Sequence, residues 1–174
     1  MNQSSVRKLF EIAHQALAAS IRSQTLAPID LSDHPELLKP AAAFVTIYRR
    51  GMLRGCIGHI LADKPLYQVV CEMVVAAATV DPRFPRVLEA ELPETTLEIS
   101  VLSPFEITTD FSTICIGKHG LLVQCGEARG LLLPQVAVKQ GWNADRFLQE
   151  TCRKAQLPSD AYKDENRQVA VFTA

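Results

Sequence analysis

The segment "AAFVTIYRRGMLRGCIG", Ala42 to Gly58, decides the fold. An apolar, β-branched run reaches a turn at Arg50-Gly51 and is followed by a second run broken by glycines, which predicts a β-hairpin. Inside the second run, Cys56 lies between Gly55 and Gly58, with Arg54 before it and His59 after it. Two readings stay open at this point. Cys56 is a reactive thiol in an open bend, or a small buried residue where two strands approach.

Outward from the hairpin, Val6, Leu9, Phe10, Ala13, Ala16, Leu17 and Ile21 repeat at helical spacing, and Ser4 or Ser5 stands ready to cap that helix. "TLAPIDLSDHPELLKP" carries three prolines and reads as a loop. Asp63 before Pro65 predicts the start of a second helix, whose apolar face runs from Leu66 through Ala78 until "VDPRFP" stops it. "TTLEISVLS" is a strand with Leu97, Ile99 and Val101 on one side. "STICIGKHGLLVQC" predicts a second hairpin through Gly117 to Gly120. Asn143 caps a helix through Phe147 and Cys152, and "QVAVFTA" closes the chain as a strand. Strands and helices mix without regular βαβ alternation. The predicted class is therefore α+β, with a largely antiparallel or mixed sheet and flanking helices.

Composition bounds the function. The 174 residues suit one compact domain, residues 1–174, of one lobe or two, over two independent domains. A net charge of -1 supplies no field to attract nucleic acid or an anionic membrane. The longest stretch without Asp, Glu, Lys or Arg, Ile12 to Ile21, is far short of the ~18 residues of a transmembrane span. Five cysteines, an odd number without a C-x-x-C pair, read as reduced thiols, and with no signal peptide in the sequence a cytoplasmic protein is expected.

Three motifs carry candidate chemistry. In "RGCIG" the glycines keep the backbone bare, and strand alternation would bring Arg54 to the face of Cys56, where a cation favours thiolate. "DPRFP" offers Asp81 and Arg83 to a polar ligand, with Phe84 as an anchoring ring; the plainer reading is a helix stop with an internal Asp–Arg contact. "GKHG" offers His119 as a base, or as a solvated turn residue. Cys115, His119, Cys125, Cys56 and His59 do not match zinc spacing, and no phosphate loop, dinucleotide fingerprint or nucleophile elbow is present, so neither metal nor cofactor is implied. Arg49, Arg50, Arg54, Arg83 and Arg86 form an anion site or are ordinary surface charges.

"LRGCIG", "AAATVDPRFP", "EISVLSPFEI", "IGKHGLLVQCGEARGLLLPQVA" and "FLQETCRKAQL", in that order, resemble the AMMECR-type domain family, whose prokaryotic members are called AmmeMemoRadiSam system protein A. The resemblance runs from about Val6 to the C-terminus. It implies an α+β fold of two subdomains, a larger sheet-and-helix lobe and a smaller lobe, with a cleft between them. It carries the family signature onto Leu53, Arg54, Gly55, Cys56, Ile57 and Gly58, and implies that Asp81 to Pro85 and Gly117 to Gly120 border the cleft. His59 lies outside the signature, and Phe105 stands where relatives have proline. The family brings no assigned reaction. Its prokaryotic members look associated with Memo-like and radical-SAM-like proteins, and its animal members with protein binding.

Two functions follow as expectations. In the first, the chain is a pathway component that binds a small molecule or peptide in a cleft around LRGCIG through Arg54, Gly55, Gly58, Arg83, Phe84 and Gly120. In the second, it is a thiol-centred, acyl-transfer-like enzyme with Cys56 as nucleophile and His119 or Asp81 moving protons. The first is preferred, because no base is fixed beside the thiol by sequence.

Overall fold

The computed structural model describes Met1 to Ala174 as two compact units, Met1–Val101 and Leu102–Ala174. The first begins with α1 (Gln3–Ile21), followed by a 3-10 turn at Pro35–Leu38, the hairpin β1 (Ala43–Arg49) and β2 (Met52–His59), then α2 (Leu66–Thr79), a 3-10 segment at Glu89–Glu94 and β3 (Thr95–Val101). Arg50 and Gly51, the two centre residues of the hairpin turn, both have positive φ (50° and 78°), as a type I′ turn requires. The sheet order is β2-β1-β3, and both pairings are antiparallel. Ala43, Val45 and Ile47 are fully buried in one core with Leu9, Ile12 and Leu17 of α1 and Val69, Val70 and Val74 of α2. Thr46, between them, belongs to the opposite face of the strand.

Two close approaches account for the glycines of β2. A Cβ on Gly55 would stand 2.1 Å from the carbonyl oxygen of Ala77, so the strand lies directly against the backbone of α2. A Cβ on Gly58 would stand 2.3 Å from the ring of Phe44, its cross-strand partner, which covers the bare backbone. The register slips between them and the turn: Ile47 faces Gly55, Tyr48 faces Leu53, and Arg54 is left without an opposite residue. This bulge breaks the alternation that would bring Arg54 to the face of Cys56.

The second unit contains β4 (Glu106–Ile107), a 3-10 turn at Phe111–Thr113, β5 (Gly120–Cys125), β6 (Ala128–Leu132), α3 (Pro134–Gln140), α4 (Ala144–Lys154), a 3-10 turn at Ala161–Lys163 and β7 (Arg167–Phe172). Its strands are all antiparallel, in the order β4-β7-β5-β6, and pack on Phe147, Leu148 and Cys152 of α4. The α+β class with antiparallel sheets holds for the whole chain. No helix is long and apolar enough to cross a membrane.

Four local expectations change. The second hairpin runs β5–β6 through Gly126-Glu127, not through Gly117 to Gly120. There the N–H groups of Lys118 and His119 both donate to the Cys115 carbonyl, which curls the segment into a turn and leaves no strand before it. The first helix is capped by Asn2, whose Oδ1 accepts from the Ser5 N–H at 2.8 Å, and Ser5 sits inside the first turn. Asp63 does not cap α2. Its carboxylate pairs with His59 Nε2 at 2.6 Å, and α2 starts behind Pro65 without a side-chain cap. Helix α3 was not expected. Pro134 starts it with φ already set, and Gly141 ends it in the left-handed region.

Gly55→Ala is expected to destabilise the chain by about 1–3 kcal/mol, the cost of overpacking against a helix backbone that cannot yield. Gly58→Ala should cost less, because the obstacle is the Phe44 ring and a side chain can rotate. Urea midpoints of the two variants check the ranking, and an equal or reversed order would contradict it.

Candidate functional site

Strand β2 has β1 on one side and no strand on the other. A strand edge leaves backbone donors and acceptors that need partners. At Cys56 the partners are side chains. The Cys56 N–H donates to Asp81 Oδ2 at 2.9 Å, and Arg83 Nη2 donates to the Cys56 carbonyl at 3.0 Å. The same Nη2 donates to Asp81 Oδ2 at 2.7 Å, while Arg83 Nε and its backbone N–H donate to Asp81 Oδ1 at 2.9 and 3.1 Å. The acid and base of "DPRFP" thus occupy the place of a neighbouring strand. Two prolines stiffen the turn, so the pair is presented at fixed geometry.

Electrostatics follow from this clasp. Asp81 is buried, with its side chain 1% exposed, and its carboxyl is held well below the usual carboxylate range. The Arg83 hydrogen bond is the largest cause; burial opposes it, and the Cys56 N–H adds to the lowering. Arg83 also lies 5.5 Å from the centre of the Phe84 ring, a cation–π contact. The thiol itself accepts from Thr46 Oγ1 at 3.2 Å, across the β1–β2 pair in which Thr46 faces Cys56.

Arg54 is committed elsewhere. Its Nε and Nη2 donate to the two carboxylate oxygens of Glu91 at 3.0 and 2.9 Å, Nη1 donates to the Pro85 carbonyl at 2.7 Å, and Nη2 also reaches the Arg86 carbonyl at 3.1 Å. Glu91 further accepts from the Leu88 N–H at 2.7 Å and from Arg49 Nη1 at 2.9 Å. These bonds, the Arg54 hydrogen bond first among them, bring Glu91 down to about 2. Arg83 is raised above its ordinary value, first by its hydrogen bond to Asp81. The cation bonded to the backbone of Cys56 is therefore Arg83, not Arg54.

Cys56, Gly55, Gly58, Asp81, Arg83 and Phe84 thus lie together in the first unit, with Arg54 one bulge away on the same strand. His119 and Gly120 belong to the second unit, where each has a local role. His119 Nδ1 accepts from the Cys115 N–H at 3.2 Å, which closes its own turn, and Gly120 lies under the ring of Phe172. Burial pushes the half-buried Cys71 thiol up to about 11 and also raises that of Cys152. No three His, Cys, Asp or Glu side chains gather into a set that would hold a metal ion.

Sequence reasoning missed Thr46 and Glu91. The signal for Thr46 is a hydroxyl amid apolar residues on a central strand, but its pairing with Cys56 appears only once the register is known. Glu91 sits in "EAELPE", where nothing in the pattern distinguishes it from its exposed neighbours.

Both carboxylates have folded values below their unfolded ones. Their stabilisation is present above the ordinary carboxylate range and is lost as pH falls through the folded values. For Glu91 that window runs from its reference value of 4.5 down to about 2. Asp81→Asn is expected to cost about 2 kcal/mol at neutral pH, the scale of charge-assisted hydrogen bonds lost. Urea unfolding as a function of pH should show a constant gap between wild type and variant from neutrality to about pH 5, closing only in strong acid. A gap that closes on approach to neutrality would contradict the assignment.

Comparison with known proteins bears on the same residues. The AMMECR1 family model matches residues 10–174, a span that includes the whole clasp. A protein of Methanothermobacter thermautotrophicus is 43% identical over 97% of this chain and 91% of its own length. Protein PF1979 of Pyrococcus furiosus is 39% identical, covering 95% of this chain and 84% of its own. The crystal structure of uncharacterized protein PH0010 from Pyrococcus horikoshii superposes with a TM-score of 0.93 at 34% identity, covering 99% of this chain and 90% of that one. With the family model spanning nearly the whole sequence and a solved fold matching it end to end, the chain belongs to the AMMECR1 family.

Proposed function

We propose that this protein is a cytoplasmic binding component of a multi-protein pathway, and that the segment Leu53 to Gly58 is the centre of its recognition surface. One observation carries the reading: the charged groups nearest Cys56 are already spent on architecture. Asp81 receives four hydrogen bonds, and a carboxylate held so far down does not take a proton near neutrality. Arg54 gives its donors to Glu91 and two carbonyls. What remains is a rigid strand with Leu53 and Met52 exposed at its start and Arg83 and Phe84 beside its middle. Rigid presentation of apolar and cationic groups lowers the ordering cost of association. The family resemblance supplies the candidate partners, a Memo-like and a radical-SAM-like protein.

The thiol-centred reading keeps one specific support. The Thr46 hydroxyl donates to Sγ at 3.2 Å and holds the sulfur in a defined position on the strand. In that reading Cys56 is the nucleophile, and the proton acceptor is a group of the substrate.

The two readings separate in one set of measurements. Tagged wild-type chain, Cys56→Ser and Leu53→Asp are mixed with the purified Memo-like and radical-SAM-like proteins of the same organism. Cys56→Ser is expected to retain capture, and Leu53→Asp to weaken it about tenfold or more, the cost of a charge at an apolar contact. In parallel, iodoacetamide labelling of Cys56 is compared with that of the exposed Cys115 in the same chain. Absence of capture together with labelling of Cys56 far faster than Cys115 would reverse the preference.

A further inference from the structure

The hairpin end of the first sheet carries a pocket that the clasp does not use. It has a volume of about 240 Å³ and is lined by Arg49, Arg50, Met52, Leu53 and Arg54. Three guanidinium groups here face two carboxylates. Glu91 pairs with Arg49 and Arg54, and Glu94 with Arg49 and Arg50. The cluster is left with a surplus of one positive charge.

The donors are also in surplus. Arg49 spends Nε on Glu94 and Nη1 on Glu91, and Arg50 spends Nη2 on Glu94. Arg49 Nη2, and Nε and Nη1 of Arg50, have no partner in the protein. An arginine carries five N–H donors in a planar fork suited to a carboxylate or phosphate. The fork is held in place: Arg54, half-buried, is anchored to the 85–91 segment, Glu91 and Glu94 tether Arg49, and Arg50 occupies the left-handed position of the turn. Beside these donors, Met52 is 71% and Leu53 42% exposed. Large apolar side chains at a hairpin tip gain nothing for the fold; next to unspent guanidinium donors they form the second half of a binding site.

We propose that this pocket binds an oxyanion, phosphate or carboxylate, that carries an apolar substituent. The oxyanion takes the free donors of Arg49 and Arg50, and the substituent lies on Met52 and Leu53. The volume suits the charged headgroup of such a molecule, with the remainder on the exposed apolar rim. The inference rests on the recognition reading above, because Leu53 and Arg54 belong to both, and it adds the chemistry of what is recognised.

The test is a titration of the full chain with phenyl phosphate and with benzoate at constant ionic strength, followed by the backbone amide signals of Met52 and Leu53. Inorganic phosphate and benzyl alcohol serve as the two half-ligands. Saturable shifts are expected with phenyl phosphate, benzoate or both, which also tells a phosphate from a carboxylate site. Each half-ligand should bind about tenfold or more weakly. Arg50→Gln, at an exposed position, should weaken phenyl phosphate by a similar factor. Met52→Ala should weaken phenyl phosphate and leave inorganic phosphate unchanged, and Arg129→Gln in the second unit should change neither. Shifts that are linear in ligand, or equal in wild type and Arg50→Gln, overturn the proposal. Failure here with protein capture intact refutes the ligand chemistry alone; loss of capture with phenyl phosphate still bound refutes the partner reading alone.

Discussion

The first unit depends on a side-chain pair that stands in for a missing strand. Edge strands need their outward N–H and C=O groups satisfied or shielded, and most do so with water, bulges or charges. Here Asp81 and Arg83 supply one acceptor and one donor to the same residue, Cys56, and bond to each other as well. Burying the Asp81 carboxylate is costly by itself, and the Arg83 fork offsets that cost only while both ends stay on the strand. The pair therefore specifies register. Because side chains and backbone groups alternate with a period of two, a slip of one residue would turn the Cys56 N–H towards β1 and leave Asp81 buried without its partner.

The same constraint changes how the glycine-flanked signature is understood. Arg54 ties β2 to the segment after α2, Gly55 permits contact with the Ala77 carbonyl, the backbone of Cys56 receives the clasp, Ile57 faces the core, and Gly58 lies beneath Phe44. Every position from Arg54 to Gly58 has an architectural reason. A motif explained so fully by packing is weak evidence for a reaction at its cysteine, and the sulfur contact to Thr46 is what chemistry would have to build on. The strand that is most tightly specified is also the one whose beginning projects apolar side chains outward.

How much of this was legible in the sequence depended on the range of each interaction. The β1–β2 hairpin, the apolar faces of α1 and α2, the stop at "VDPRFP" and the closing strand were readable, because period and turn chemistry are local. The internal Asp81–Arg83 contact was legible as one option, since the two residues sit within one turn. Their grip on Cys56 was not, because it joins the end of α2 to an edge strand and depends on sheet order. The bulge at Arg54 was hidden for a related reason. It is a property of the pairing with β1, so counting alternate residues along β2 put Arg54 on the wrong face. The hairpin expected at Gly117 to Gly120 failed on chemistry that leaves no mark in a hydrophobic pattern, two amides converging on one carbonyl.

Folding selects for apolar residues inside and charges outside, but the hairpin region reverses this over a few residues. Asp81, Glu91 and Thr46 are buried, while Met52, Leu53 and Leu88 are exposed. The buried polar groups are accounted for by hydrogen bonds that hold β2 and the following segment together. No such account exists for the exposed apolar ones, since burial elsewhere would have been favourable by about 25 cal/mol for each Å². A scattered exposed leucine needs no explanation, but these flank arginines whose forks are only partly used. Stability explains the first half of the reversal, and the recognition proposed above would explain the second.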